Sequence, residues 1–483
     1  MRPTLFVIPH QWLGLPTFGI GWALIGLLLA IAIRLTWAVW RRRVHQTRAS
    51  NQRPPPSVAE IISEQGLFWM VAAGVIVFGL PRAELTLPDG QPLGIAIRGY
   101  GLFLALAAIG SVAVAAWRAQ RAGDRLIEHQ PTRRDNSSTK KVSREGLSAE
   151  SVLQLAPWTF LAGVAGARLF YVIQYFSDFR RETLGQTIAE LAAVTQGGLV
   201  VYGGLIGGGL VSAWFIHRRN CSVWRLGDAI IPCVFIGLFF GRLGCLMNGC
   251  CFGGPCDPGL LAAEFPAGSP VYRRQLLDGR LIGLSGSSSA ASRDQADQPF
   301  GQRTLQINQI RNDSVADELG LKVGERVELV LDTTESITDP LRPATNVLPG
   351  LAVIKDGRLV SSLSPAELPQ RAMPVRATQV ISAVAAAIMF CMMLGIERLL
   401  QHNSTTKSRH NQSRIQAWSN PGVLLCLGCI AYALLRTFLE WVRVDEAAQF
   451  GTGLSISQLV SLILIAASIV VLRFRLMATS DNR

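Results

Sequence analysis

Apolar residues in this chain come in long runs, not in the short alternations of surface strands or amphipathic helices. "GIGWALIGLLLAIAI" and "LVSLILIAASIVVL" are two examples. Runs of this length predict helices that cross a bilayer. The pattern predicts about nine, at roughly 17–40, 64–81, 98–117, 151–176, 193–217, 226–249, 374–397, 421–442 and 454–472. The second, built on "GLFWMVAAGVIVFGL", is short for a bilayer. The expected fold class is an all-α polytopic membrane protein. A large soluble protein with buried core helices is the competing explanation, and composition tells against it. Of 483 residues, 49% are hydrophobic and 16% charged, against about 25% charged in soluble domains. Mean hydropathy is +0.31.

Charge then orients the spans. The net charge of +13 would point to nucleic acid in a soluble domain. Here the basic residues cluster between apolar runs, so membrane topology explains them and no nucleic-acid partner is expected. Arg41, Arg42, Arg43, Arg48 and Arg53 lie in one connection; Arg118, Arg121, Arg125, Arg133, Arg134, Lys140, Lys141 and Arg144 lie in another. Arg218, Arg219 and Arg225 follow, then Arg398, Lys407, Arg409 and Arg414, and finally Arg473 and Arg475. Alternate loops are poorer in base. The positive-inside rule therefore predicts an outer N-terminus and a cytoplasmic C-terminus, which needs an odd number of spans. "RRR" follows the first apolar run, and no small-residue cleavage site is seen, so this run reads as a permanent span.

Between the sixth and seventh spans lies a large loop, about 250–373, expected to face outward. "GLSGSSSAASRDQADQ" reads as a flexible linker. The segment 305–332 that follows, "LQINQIRNDSVADELGLKVGERVELVLD", predicts strand, short helix, strand and resembles part of a PDZ-type module. A small unrelated α+β insert is the alternative. At the front, "LGLPTFGIGWALIG" (13–26) aligns with "LGIAIRGYGLFLAL" (93–106). That is either a duplicated helix pair or chance between two Gly/Leu-rich stretches. The expected organisation is an extra N-terminal helix pair at 1–92, core at 93–256, insert at 257–373 and core again at 374–483.

Three arginines interrupt apolar runs: Arg168, Arg242 and Arg436. Each costs about 2.5–3.5 kcal/mol at mid-helix on insertion scales. Snorkelling to the surface is the bland explanation for any one of them. The predicted topology puts all three in the outer half of outward-running spans. Tyr202, Tyr100, Gln379 and Glu440 fall at the same depth. Three cations there call for an anion, and lipid phosphate lives at that depth; arginine binds phosphate bidentately. The glycines of "GGLVVYGGLIGGG" (197–209), Gly203 and Gly204 among them, let a helix or a lipid approach the backbone closely.

Several motifs in order carry a specific likeness: "YGL" at 100–102, "GARLFYVIQY" at 166–175, "GGLVVYGGLIGG" at 197–208, "GRLGCLMNG" at 241–249 and "YALLRTFLEWVR" at 432–443. Together they resemble the prolipoprotein diacylglyceryl transferases, over about 98–256 and 374–472. The resemblance implies a seven-helix core in the bacterial inner membrane, without cofactor or metal. It implies transfer of the diacylglyceryl group of phosphatidylglycerol to the lipobox cysteine thiol of a preprolipoprotein, leaving glycerol phosphate and a thioether. Arg242 and Arg436 would hold the phosphate, Arg168 and Glu440 would shape the site, and Tyr100, Gly203, Gly204 and Gln379 would line it. The sequence departs from the family pattern in places. Tyr202 stands where the family's best-known form has the histidine suspected as base; Cys245 replaces an asparagine, Cys250 a glutamate, and "QVIS" (379–382) replaces "QLYE". The catalytic base is thus either Tyr202, with its pKa lowered by arginines, or no dedicated group, the thiol ionising beside them.

Cys245, Cys250, Cys251 and Cys256 lie near the outer end of the sixth span. Cys250 or Cys251 paired with Cys256, or plain buried thiols, are both open. No histidine is nearby, and a four-ligand zinc site is not expected. The rival functions are a membrane thiol oxidoreductase using these cysteines, a transporter or lipid-binding module, and a non-catalytic relative of the transferases. The insert would then sit over the entrance, present the substrate, or bind a periplasmic protein.

Overall fold

The computed structural model describes residues 4–47, 57–86, 91–128, 149–175, 198, 200–219, 222–288, 301–332, 348–405, 420–442 and 455–477. Most of them are helical. The long helices are α1 (Trp22–Thr47), α2 (Val58–Gly74), α3 (Gly99–Glu128), α4 (Ala149–Gln174), α5 (Val201–Arg219) and α6 (Val223–Asn248). After two short helices, α7 (Pro270–Leu277) and α8 (Val315–Glu318), come α9 (Thr378–Thr405), α10 (Val423–Val442) and α11 (Ile456–Met477).

Among the described residues, seven helices are long and apolar enough to cross a membrane: Trp22–Trp40, Gly99–Arg121, Ala149–Gln174, Val223–Asn248, Thr378–Leu400, Val423–Glu440 and Ser457–Met477. The chain is a polytopic membrane protein. α2 and α5 are not in that group. α5 is diluted by its glycines and its basic end, and part of the span predicted at 193–217 lies outside the described residues. α2 begins earlier than predicted, at a capping box in which Ser57 and Glu60 exchange hydrogen bonds. It passes into a π-helical turn, Val75–Gly79. α3 runs well past its predicted end at 117, so Arg118 and Arg121 are helical and not loop residues.

The chain forms two compact units. One comprises Met1–Leu102, Met247–Cys250 and Pro255–Val375; the other comprises Phe103–Leu246, Cys251–Gly254 and Arg376–Arg483. In the first, β1 (Thr4–Pro9) pairs antiparallel with β5 (Pro92–Arg98), which also pairs with β4 (Leu85–Thr86). His10 extends this sheet, and its Nδ1 lies 2.5 Å from the buried Glu84 carboxylate.

The insert in this first unit carries a five-stranded antiparallel sheet, β7 (Leu284–Ser288) through β11 (Arg358–Leu363), each strand beside its sequence neighbour. The strand–helix–strand expectation for 305–332 corresponds to β8 (Gln302–Ile310), α8 and β9 (Arg326–Asp332). Leu305, Ile307, Val327, Leu329, Leu351 and Val353 alternate along their strands and are buried, the period of two expected of a one-sided sheet. β7 takes the first part of the predicted linker; residues 289–300 lie outside the described residues.

Candidate functional site

The second unit is a helical bundle whose levels can be read from its contacts. At one end Asp228, near the start of α6, accepts hydrogen bonds from the backbone N–H of Gly422 (2.6 Å) and Leu425 (2.7 Å), capping α10. Arg118 of α3 donates to the Asp228 carbonyl at 2.8 Å and pairs with Glu397, near the end of α9, at 3.0 Å. At the same level, Leu155 of α4, Phe215 of α5 and Leu226 of α6 form one apolar cluster. The starts of α4, α6 and α10 and the ends of α5 and α9 therefore share one end of the bundle.

Every predicted site residue of this unit lies toward the other end. At 1.5 Å per residue, Arg168 and Tyr202 are about 20 Å along their helices from Leu155 and Phe215, and Arg242 is about 21 Å from Asp228. Arg436 is about 17 Å from Leu425, and Gln379 about 27 Å from Glu397.

Three of these residues also lie on the packed faces of their helices. Ile231, Phe235, Met393 and Leu424 form a core joining α6, α9 and α10, with Leu238, Phe390, Leu425, Cys429 and Tyr432 against it. Arg242 continues the stripe 231–235–238 by one step of four, and Arg436 continues 425–429–432 in the same way. Gln379 stands in register with buried Ala383, Ala386 and Met393, and is itself fully buried.

Their partners differ. Arg436 pairs with Glu440 at 3.0 Å, one turn along α10, and donates to Ser457 Oγ of α11 at 2.9 Å. Ser457 in turn donates to Glu440 at 3.4 Å. Arg168 is buried, donates to the Gly198 carbonyl at 3.2 Å and sits over the Tyr171 ring. No ion pair or hydrogen bond joins Arg242 to any of the described residues, and its side chain is half-buried. A guanidinium on a packed membrane-helix face, with no anion beside it among the described residues, is a favourable place for an external anion to bind.

The glycines are spent on helix packing. A Cβ on Gly203 would lie 2.3 Å from the Gly166 carbonyl oxygen, and one on Gly166 would lie 2.4 Å from the Gly203 carbonyl oxygen. Gly204 faces the Gly163 carbonyl of α4 at 3.3 Å by the same measure. Gly203 and Gly204 thus serve the α4–α5 crossing, which leaves Tyr202 beside them exposed. Tyr100 is exposed in the first turn of α3, in the other unit.

Sequence reasoning missed two features. Arg118 reads as one more positive-inside charge; burial and the Glu397 carboxylate make it structural. Asp228 gave no sign of capping a helix nearly two hundred residues further on. The cysteines also come out differently. None of the described cysteines forms a disulfide, so neither Cys250 nor Cys251 is bonded to Cys256. Instead the thiols of Cys245 and Cys251 lie within 4.8 Å of each other.

Fold and side chains define a class: helical membrane proteins that hold cationic and amide side chains on packed helix faces near one end of the bundle. A family profile described as prolipoprotein diacylglyceryl transferase matches residues 91–474. A phosphatidylglycerol–prolipoprotein diacylglyceryl transferase of Rhodopirellula baltica is 47% identical over 98% of this chain and 89% of its own length. Proteins of the same description match over shorter stretches. That of Rhodospirillum rubrum is 36% identical over 29% of this chain and 50% of its own length; that of Enterococcus faecalis is 35% identical over 23% and 38%. The chain belongs to the prolipoprotein diacylglyceryl transferase family.

Proposed function

We infer that this protein transfers the diacylglyceryl group of phosphatidylglycerol to a prolipoprotein, the activity named for its near full-length relative. The thiol oxidoreductase, transporter and non-catalytic readings lose ground to it. The geometric observation that carries it is Arg242, a cation on the packed stripe of α6 with no anion among the described residues.

In this reading Arg242 meets the phosphate of the lipid headgroup. Arg436 joins it, its guanidinium aimed by Glu440 and Ser457. Because Glu440 already neutralises Arg436, the net attraction for the anion falls mainly to Arg242. The thiol of the lipobox cysteine attacks the glyceryl carbon that bears the phosphate ester. The C–O bond breaks, its electron pair goes to the departing glycerol phosphate, and a thioether remains. Arginines fixed before the reaction stabilise the charge that grows on the leaving group. Gln379, Tyr202 and Arg168 line the headgroup site.

The protein is integral to the bacterial inner membrane, with nine spans, an outer N-terminus and a cytoplasmic C-terminus. The insert, with its PDZ-like segment at 305–332, faces outward and binds a periplasmic protein or the preprolipoprotein.

The test is complementation in a strain depleted of its own diacylglyceryl transferase, following lipid labelling of one preprolipoprotein from the source organism. Wild type restores labelling and Arg242→Ala, present in the membrane at equal level, does not. A well-inserted wild type that labels nothing sinks the reading.

A further inference from the structure

Two hairpins of the first unit share one turn geometry and differ in chemistry. In the insert, β10 (Gly350–Lys355) joins β11 through Asp356 and Gly357, with φ of +51° and +73°. In the N-terminal segment, β2 (Gln11–Trp12) joins β3 (Leu15–Pro16) through Leu13 and Gly14, with φ of +52° and +79°. Both are two-residue loops that need positive φ at both central positions, where Asp-Gly and Asn-Gly are the favoured pairs. The insert follows that preference and flanks its turn with Lys355 and Arg358. The N-terminal hairpin instead puts Leu13 in the left-handed position and flanks it with Trp12 and Leu15.

Turn geometry does not account for Leu13, because an aspartate or asparagine would fit better. Packing within the protein does not either: Leu13 is 79% exposed and Trp12 64%, and Leu15 and Ile20 are exposed as well. From Thr4 to Trp22 the sequence has no Asp, Glu, Lys or Arg. A surface made for water carries charge, and the rim of a protein interface is polar.

The hairpin is fixed in place on three sides. The His10 N–H donates to the Leu93 carbonyl of β5 at 3.1 Å, and the Thr17 N–H closes the hairpin on the His10 carbonyl at 2.7 Å. The Gly19 N–H donates to the Ile76 carbonyl, in the π-helical turn after α2, at 3.0 Å. Trp22 Nε1 donates to the Trp12 carbonyl at 2.7 Å. Trp22 is the first residue of α1, which is long and apolar enough to cross a membrane and exposes Leu28, Leu29 and Ile33 along its length. The apolar surface of the hairpin therefore adjoins the lipid-facing surface of a span. Its two tryptophans are of the type that sits at headgroup level.

We propose that the β2–β3 hairpin inserts its tip, Trp12, Leu13 and Leu15, into the leaflet where α1 begins, the outer one in the topology proposed for this chain. Its partner is the lipid surface. Moving the leucine out of water offsets the strain of its left-handed backbone. Through the His10–Leu93 bond and the pairing of β1 with β5, the docked tip holds the three-stranded sheet at the membrane surface. β5 ends at Arg98 and α3 begins at Gly99, so the same foot steadies the start of α3. The inference does not depend on the transferase activity.

The experiment uses full-length protein in nanodiscs of phosphatidylcholine with a minor fraction of phosphatidylglycerol. A diazirine amino acid replaces Leu13 in one sample and Asp356 in another. Light makes each probe react with whatever touches it, and mass spectrometry of the tip peptide identifies the adduct. Position 13 should give phospholipid adducts in the proportions of the bulk lipids, and position 356 should give water. Water at both positions overturns the proposal, as do lipid adducts at equal yield from both. A protein adduct at position 13 overturns it in favour of a partner chain or a second copy. Adducts with phosphatidylglycerol alone overturn it in favour of a specific lipid site. Leu13→Asn gives a second reading that keeps the hairpin folded, since asparagine suits the turn. The amides of Trp12 to Leu15 should exchange hydrogen faster in this variant than in wild type in the same nanodiscs, because the tip leaves the lipid. Slower or equal exchange, the result of turn preference alone, sinks the docking.

Discussion

At the scale of single residues, the three arginines that interrupt apolar runs are not equivalent. Arg168 and Arg436 are held by a backbone carbonyl and by a carboxylate with a hydroxyl, whereas Arg242 has no such partner among the described residues. Arg242→Ala should therefore lower the initial rate of lipidation about 10²–10³-fold, the usual effect of removing one group that stabilises transition-state charge. Arg242→Lys should recover only part of it, because an ammonium cannot form the guanidinium's paired hydrogen bonds to phosphate. Rates with a labelled phosphatidylglycerol decide this; a lysine variant as active as wild type would show that charge alone matters. Glu440→Ala should act differently. It leaves the guanidinium of a buried pair without its carboxylate, so thermal stability in detergent falls along with activity.

At the scale of elements, the α4–α5 crossing depends on bare backbone. A Cβ on Gly166 would meet the Gly203 carbonyl oxygen at 2.4 Å, whereas one on Gly163 would meet only the Gly204 carbonyl oxygen at 3.6 Å. Gly166→Ala should cost about 1–3 kcal/mol of stability through overpacking. Gly163→Ala, at ordinary contact distance, should be close to neutral. Melting temperatures of the two variants in one detergent check this, and equal loss from both would mean that the crossing yields as a whole. α10 depends in the same way on Asp228, whose carboxylate caps its first turn. Asp228→Ala should cost about 2 kcal/mol, as the loss of a strong N-cap does.

At the scale of the whole molecule, titration separates the insert from the helices. Tyr272, in the capped helix α7, is buried, and burial pushes its pKa up to about 12 from 10. The unfolded chain loses this proton near pH 10 while the folded insert keeps it to about 12. The stabilisation is thus fully present below pH 10 and disappears as pH climbs through 12. On the acid side, Glu325 and Glu367 are held below the usual carboxylate range, Glu325 first by its bond to Lys355 and Glu367 by the backbone N–H of Ser364. Their contribution is present at neutral pH and fades as pH falls through the carboxylate range. Hydrogen exchange of the β8 and β9 amides in full-length protein should show protection dropping above pH 10 once corrected for intrinsic rates. Tyr272→Phe should flatten that alkaline limb.

How much of this was legible beforehand follows from how each signal arises. Helices announce themselves because a bilayer demands some twenty apolar residues in a row, a property of contiguous sequence. The arginines stood out for the same reason, since a charge inside such a run is costly wherever its partner is. The motifs around Arg168, Arg242 and Arg436 carried the family. Tertiary structure alone decided the rest, because each remaining feature joins residues that are far apart or oppositely directed along the chain. β1 finds β5 some ninety residues later. Arg118 finds Glu397. Asp228 caps a helix it never adjoins in sequence. The glycines of α5 face those of α4. Hydropathy records what each residue costs in oil; which partner meets that cost is a matter of distance in space.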